Sequence, residues 1–558
     1  MRGLVALLLL LSFSFATCGD EVSMNLPAVS DGSGLLVGIS MKSAPGEGVE
    51  YVGTEPTVGT ATQESLSTAA DVARELSLRG YDCDLMVRVD SSDSPGGVEG
   101  PSAGAAFVVM SYAIFTGREP RGDAAITGGI SKGGKVLPVG GLYEKALGAK
   151  QSGFRYFITP VQSVEEKLML RGISGITIRE VETANEAVEF FFENKIPPER
   201  PLEMEVEPLG NLTPYEGLRV PAMRGIVDAL IRNEKDAIGG IEDDAVREYF
   251  EKRAGQHEEI LRLGYDYAAA NGAFLAGISA SAVAEVESPD IEAKKAEVRK
   301  CLDSLEKPQA ATGNFEWVMG GEAREMRARR NYEKYAGLEP ETKDEEYLLV
   351  YQMGYSKAWC EAAKAMYAAG DNTGAPIDRA KMRDIAEGLL NYTEDYGEWQ
   401  EYADTGAELF EKEMYAGAIY ELMFAKSMHE GDKRMDEGAA EGDYEALMQN
   451  ESTSIWGKVF RAHSSYLYQL GEKQDAYRMA VFARNMDRVA GELSAASLAE
   501  AVAAGEGEGC PPCGEGSLCM PAFFLLAVSF AAMRAAEHKG AACEDAYRTH
   551  KSHNPGME

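Results

Sequence analysis

The sequence predicts an α/β region from about residue 25 to 200, followed by an all-α helical region from about 206 to 503. Three observations carry this division. Between about Ala28 and Asn194, short β-rich runs alternate with helical runs, the pattern of sheets layered with helices. Beyond residue 206 the strand signal stops, and Ala, Glu, Met, Tyr and Leu recur at helical spacing. Between the two stands Pro197-Pro198, which neither helix nor strand continues through. With 558 residues, 45% of them apolar and 26% charged, the chain can bury more than one core and is not a disordered polymer.

Residues 1–18 read as an export signal: Arg2 supplies the positive start, Leu4 to Phe15 the apolar stretch, and Ala16-Thr17-Cys18 a small-residue exit. The mature chain is therefore expected outside the cytoplasm, extracellular or at the cell surface. Phe15-Ala16-Thr17-Cys18 also loosely matches a lipobox, so anchoring to a membrane through an acylated Cys18 stands as the alternative. The sequons at Asn211, Asn391 and Asn450 agree with export but arise readily by chance.

In the α/β region, Leu35 to Met41 and Val49 to Val52 read as strands, and Thr62 to Leu78 as a helix stopped at Gly80. Leu85 to Val89 follows as a strand, then the Gly- and Ser-rich loop Ser91 to Gly100, then a helix from about Ser102 to Phe115 closed by Gly117. Ala124 to Thr127 and Lys135 to Val139 are expected to pair as a hairpin about Ser131-Lys132-Gly133-Gly134. Tyr143 to Gln151 reads as a helix, Tyr156 to Ile158 and Ile176 to Arg179 as strands, and Asn185 to Glu193 as a closing helix.

The helical region shows long periodic stretches at Asp244 to Val283, Glu345 to Ala369 and Trp399 to Met428, without a repeat of fixed period. Its aromatic positions, among them Tyr265, Tyr267, Tyr351, Tyr355, Trp359, Tyr415 and Tyr420, read as core. A net charge of −35 argues against a nucleic-acid partner, and the densest basic run, Arg324 to Arg330, reads as a solvated helix face. Cys83, Cys301 and Cys360 stand alone in the sequence, whereas Cys510, Cys513, Cys519 and Cys543 fall in the tail of residues 504–558 and read as disulfide formers. The apolar stretch Met520 to Met533 is short for a membrane span, which leaves a buried helix or a short anchor. Cys510-Pro511-Pro512-Cys513 has metal-knuckle or redox spacing, but no second such pair follows and His257, His429 and His463 are isolated, so no metal or cofactor is expected.

The chemistry concentrates in two short blocks. Gly100-Pro101-Ser102-Ala103-Gly104 follows a strand and a loop and opens a helix, so Ser102 is expected at a helix N-terminus, where unpaired backbone N–H groups can hold an oxyanion. Gly100 gives the backbone room and Pro101 stiffens it. A serine nucleophile needs a base, yet no histidine occurs before His257. Lys145, in Gly140-Gly141-Leu142-Tyr143-Glu144-Lys145, is the remaining candidate, provided burial lowers its pKa. Thr127 is expected to bond the lysine amine and orient it. Glu144 reads as a solvated or structural carboxylate, Asp123 as a turn residue, and Lys132 and Lys135 as exposed.

Taken in order, Glu99-Gly-Pro-Ser102-Ala-Gly, Thr127-Gly-Gly and Lys135-Val-Leu-Pro-Val-Gly-Gly-Leu-Tyr-Glu-Lys145-Ala-Leu-Gly-Ala-Lys-Gln-Ser-Gly153 closely resemble the proteolytic domain of the Lon protease family. The resemblance covers roughly residues 25 to 200. It implies Ser102 as nucleophile, Lys145 as general base and Thr127 near the lysine, and it implies assembly into a homo-oligomer. Glu99 stands where the family commonly has Asp, Gly129 where a Glu is common, and Met86 and Arg88 lie where histidines often occur. No G-x-x-x-x-G-K-[ST] loop occurs in the sequence, so the chain resembles exported, ATP-independent Lon-like proteins of archaea. The expected activity is peptide hydrolysis in unfolded or flexible polypeptides without ATP. The competing expectation is a scaffold whose Lon-like domain has lost activity and whose helices bind a protein partner.

Overall fold

The computed structural model describes residues 18–30, 33–53, 58–89, 100–285, 290–371, 373–392, 396–436, 438, 441–449 and 451–505. Residues 1–17 of the export signal, Glu99, Asn450, the four tail cysteines and the apolar tail segment lie outside the described residues. Residues up to Leu498 belong to one compact unit; Ala499–Glu558 form a second, described only to Gly505.

The α/β region runs β1 (Glu21–Ser30), β2 (Ser33–Pro45), β3 (Glu50–Val52), α1 (Thr60–Ser77), β4 (Cys83–Val89), a 3₁₀ turn at Pro101–Ala103, α2 (Gly104–Thr116), β5 (Ala124–Ile126), β6 (Gly129–Ile130), β7 (Val136–Leu137), α3 (Leu142–Gln151), β8 (Tyr156–Thr159), α4 (Val164–Leu170), β9 (Thr177–Glu180) and α5 (Ala184–Glu193). A four-stranded sheet has the order β1-β2-β4-β3, and a parallel three-stranded sheet has the order β5-β8-β9. The helix α2 is apolar nearly all round and buried along most of its length, as a central helix must be. Leu85 and Val87 of β4 and Val37, Ile39 and Met41 of β2 share its core.

The hairpin differs from expectation. β6 and β7 pair about the Ser131–Gly134 turn, while β5 leaves that ladder and pairs parallel with β8. All three residues of β5 are buried, as suits a strand covered on both faces. Gly128, at φ +150°, turns the chain between β5 and β6 where an added Cβ would meet Val136. The sequence reading also missed β1 and α4. β1 contains Pro27, tolerated because the strand lies at a sheet edge, with Leu26 paired to Val37 and Ala28 to Leu35. α4 is a short helix with a Ser163/Glu166 capping box.

Among the described residues, twelve further α-helices follow: α6 (Pro221–Ile238), α7 (Asp244–Arg262), α8 (Asp266–Ala284), α9 (Ile291–Asp303), α10 (Phe315–Tyr335), α11 (Lys343–Ala369), α12 (Arg379–Leu390), α13 (Gln400–Glu411), α14 (Tyr415–Asp436), α15 (Glu441–Gln449), α16 (Ile455–Gln469) and α17 (Lys473–Gly505). Two of the long periodic stretches are helix pairs, the first broken at Gly264, where φ is +96°. The run Arg324 to Arg330 is not a solvated face. Arg324 is buried against Tyr420 and Trp456, Arg327 pairs with Glu421, and Arg330 bonds Thr405 and Glu408. The acidic and aromatic partners that make this burial tolerable come from other helices, so the run by itself does not reveal them.

The isolated cysteines pair: Cys18 with Cys83 and Cys301 with Cys360. The helical region packs directly on the α/β region: Tyr143, Leu142 and Leu147 of α3 share a core with Tyr347, Leu348 and Leu349 of α11.

Candidate active site

The serine block is held by its carbonyls. Thr62 Oγ1 donates to the Gly100 carbonyl at 3.0 Å, and Ser65 Oγ donates to the Pro101 carbonyl at 3.1 Å, both from α1. The Ser102 carbonyl accepts from the Gly128 N–H at 2.9 Å and from Thr127 Oγ1 at 3.2 Å. Since C=O and N–H point opposite ways across a planar peptide, pinning the Pro101 and Ser102 carbonyls also fixes the N–H groups of Ser102 and Ala103. Gly100 sits at φ +108°, a conformation only glycine adopts without strain. Gly104 lets α2 start against α1 and β6, where an added Cβ would lie 2.6 Å from Ser65 Oγ and 2.9 Å from the Ile130 nitrogen.

Lys145 lies in the first turn of α3, which begins after Gly141 in the left-handed conformation at φ +68°. One face of α3 rests on β2 so closely that a Cβ on Gly34 would lie 1.7 Å from the Glu144 carbonyl oxygen. Another face meets the helical region. Tyr143 OH donates to the Asp344 carbonyl at 2.8 Å, Lys150 pairs with the Asp344 carboxylate, and Gln151 bonds Glu345 at 3.0 Å. Enclosed in this way, Lys145 is only 5% exposed. Burial pushes its pKa down from 10.5 to about 8, while the neighbouring Glu144 carboxylate pulls in the opposite direction.

Ser102 and Lys145 line one cavity of about 1200 Å³. Its floor is Leu26, Ala28, Val37 and Ile39 of β1 and β2. No hydrogen bond or ion pair reaches Lys145 Nζ or Ser102 Oγ among the described residues. Catalytic contacts of this kind often close only around a substrate. Gly100 lines the same cavity, and Pro101 is exposed beside it. Thr127 is fully buried, and its hydroxyl supports the serine loop instead of the lysine amine it was expected to orient. Glu99 lies outside the described residues. Asp123 pairs with Arg121, and Lys132 and Lys135 are exposed as expected.

Sequence reasoning missed the far wall. It is supplied by Lys334 and Tyr335 at the end of α10 and by Tyr347, Tyr351, Gln352 and Tyr355 of α11. The three α11 tyrosines are spaced four residues apart and so share a helix face. That stripe was visible in the sequence, but a stripe facing a cavity and one facing a core look the same. Glu144, read as solvated or structural, is buried and accepts from Gln352 Nε2 at 3.0 Å and Tyr335 OH at 3.5 Å.

Comparison with known proteins places the α/β region in a family. Residues 38–191 match the Lon protease (S16) C-terminal proteolytic domain. Over 176 residues the chain is 34% identical to Lon protease of Haemophilus influenzae, covering 30% of this chain and 21% of that protein. It is 31% identical over 172 residues to Lon protease of Escherichia coli, covering 29% and 21% respectively. It is 35% identical over 116 residues to Lon protease 2 of Syntrophobacter fumaroxidans, covering 20% and 14%. The chain thus spans about a fifth or less of the length of these curated relatives, and the helical region from α6 onward lies outside the matched domain.

Proposed function

We propose, with residues 38–191 as a Lon-type proteolytic domain, that this chain is a serine endopeptidase using Ser102 as nucleophile and Lys145 as general base. Neutral Lys145 Nζ takes the Ser102 proton, and Ser102 Oγ attacks the peptide carbonyl carbon. Backbone N–H groups at the turn opening α2 hold the oxyanion. The amide bond then breaks as Lys145 returns its proton to the leaving amine. Water, deprotonated by Lys145, hydrolyses the acyl-enzyme and frees Ser102. Thr127 holds the serine loop in register, and Gly100 and Pro101 shape the approach.

The observation carrying this reading is a buried lysine, lacking an ion-pair partner, in the wall of the cavity that Ser102 also lines. A lysine poised near pH 8 is neutral often enough to act as a base, whereas one at 10.5 is not. We further propose that hydrolysis needs no ATP and that substrates are unfolded or flexible polypeptides; the absence of a G-x-x-x-x-G-K-[ST] loop in the 558 residues supports the first point. Export remains part of the proposal, and two disulfides fit an oxidising compartment.

A serine-reactive phosphonate probe, with casein hydrolysis measured in parallel without ATP, tests the reading. Wild type should be labelled at Ser102 and should cleave casein, with both signals lost in Ser102→Ala and Lys145→Ala. Equal behaviour of wild type and Ser102→Ala would instead leave the scaffold reading, in which the helices bind a protein partner.

A further inference from the structure

The helix carrying Lys145 is docked along one side onto α10 and α11, and these helices lie outside the matched proteolytic domain. Among their contacts with α3, one concerns the base directly. Glu144 precedes Lys145, and its Oε1 is held from the other side by Gln352 Nε2 at 3.0 Å and Tyr335 OH at 3.5 Å. We propose that Tyr335 and Gln352 are positioning residues for Lys145: they keep the Glu144 carboxylate turned toward α10 and α11 and away from the lysine amine. The proposal rests on the peptidase reading.

The physical argument is one of competing fields. Burial favours neutral Lys145, and the Glu144 charge favours the protonated form. Successive residues of an α-helix project about 100° apart, so Glu144 and Lys145 diverge unless the carboxylate swings back. Two neutral donors hold it without cancelling its charge. A salt bridge from Glu144 to Lys145 would secure the carboxylate equally well, but it would keep the base protonated.

Other ionisable groups also face the cavity. Glu166 comes from α4, Lys334 from α10 and Glu401 from α13, with Tyr335, Tyr347, Tyr351 and Tyr355 from α10 and α11. Burial raises the pKa of Tyr335, Tyr347 and Tyr351, which keeps them neutral and lets Tyr335 act as a donor. Among the described residues, only Glu144 of these carboxylates adjoins Lys145 in the chain and bonds Tyr335 and Gln352.

The test is the pH profile of kcat/KM for a fluorogenic peptide in the full chain. Gln352→Leu should free the carboxylate and move the acidic limb up by about one pH unit, a roughly tenfold loss below the limb. Tyr335→Phe, which removes one hydroxyl, should move it in the same direction by less. Glu144→Gln should move the limb down, and adding Gln352→Leu to Glu144→Gln should move it no further. A packing role would lower the plateau without moving the limb, so an unmoved limb in both Gln352→Leu and Tyr335→Phe overturns the proposal, as does a further shift in the double variant. If Ser102→Ala still hydrolyses the peptide, the peptidase reading is what fails. Competitive acetylation of Lys145 against pH then reads the lysine pKa directly, with the same shifts expected and the same null result overturning the positioning role.

Discussion

The two regions bury charge by the same rule, with one exception that lies in the α/β region. In the helical region, the buried basic side chains have partners: Arg324 meets Tyr420 of α14, Arg461 meets Ser452 and the Leu447 carbonyl, and Lys295 meets Glu292 on its own helix and the Leu338 carbonyl. Glu316 accepts two backbone N–H groups at the start of α16, and His257 sits against Glu234. Burial pushes the pKa of His463, whose Nδ1 is unbonded, down to about 4. In the α/β region the core is apolar, and Arg74 is fully bonded to Glu50, Asp71 and the Gly48 and Gly80 carbonyls. Of the buried lysines and arginines among the described residues, Lys145 alone has no hydrogen bond or ion pair. Burial by itself is common in this molecule and mostly structural; a buried cation left without a partner is what distinguishes the site.

That contrast can be broken at several points. Lys145→Met should have the largest effect, lowering hydrolysis by about 10³-fold while stabilising the fold. The folded pKa lies below the unfolded 10.5, so the burial penalty is full below about pH 8 and vanishes above 10.5. At pH 7 the methionine variant should gain about 1–3 kcal/mol in urea unfolding, and only wild type should gain stability between pH 8 and 10.5. A variant no more stable than wild type would mean that Lys145 is satisfied after all.

Glu421→Ala makes the opposite change in the helical region by leaving Arg327 without its carboxylate partner. It should cost about 3 kcal/mol with no shift in the pH limb of hydrolysis, as read by unfolding and by rate. Gly34→Ala should cost about 1–3 kcal/mol and also lower kcat, because the methyl group must push α3 and its lysine off β2.

Glu316→Gln should have the smallest effect on hydrolysis. Burial raises the Glu316 pKa from 4.5 to about 7 despite its two N–H donors, so the folded state binds the extra proton. Wild type should therefore lose stability as pH rises from 4.5 to 7, by about 2–3 kcal/mol, and the glutamine variant should show a flatter profile in thermal melts across that window.

Much of the α/β region was legible in the sequence, because its signals are local. Gly117 closing α2, Gly141 opening α3 and the serine at the start of a helix each follow from a few adjacent residues. β1 was missed because an edge strand tolerates Pro27 and need not alternate cleanly, and the hairpin was misassigned because Gly128 redirects the chain within one residue. The Arg324 to Arg330 run was misread because charge pattern along one helix does not say what packs on it.

What the sequence determined by itself was the division into an α/β and a helical region and the candidate pair, a serine block and a lysine block with no nearby histidine. The tertiary structure alone decided that Lys145 is buried and unpaired, that Thr127 serves the serine loop, and that Tyr335 and Gln352 hold Glu144. The reason is range. Turns, caps and periodicity act over a few residues, whereas burial and partner choice depend on groups about 200 positions away, which only the packing of α11 on α3 brings together.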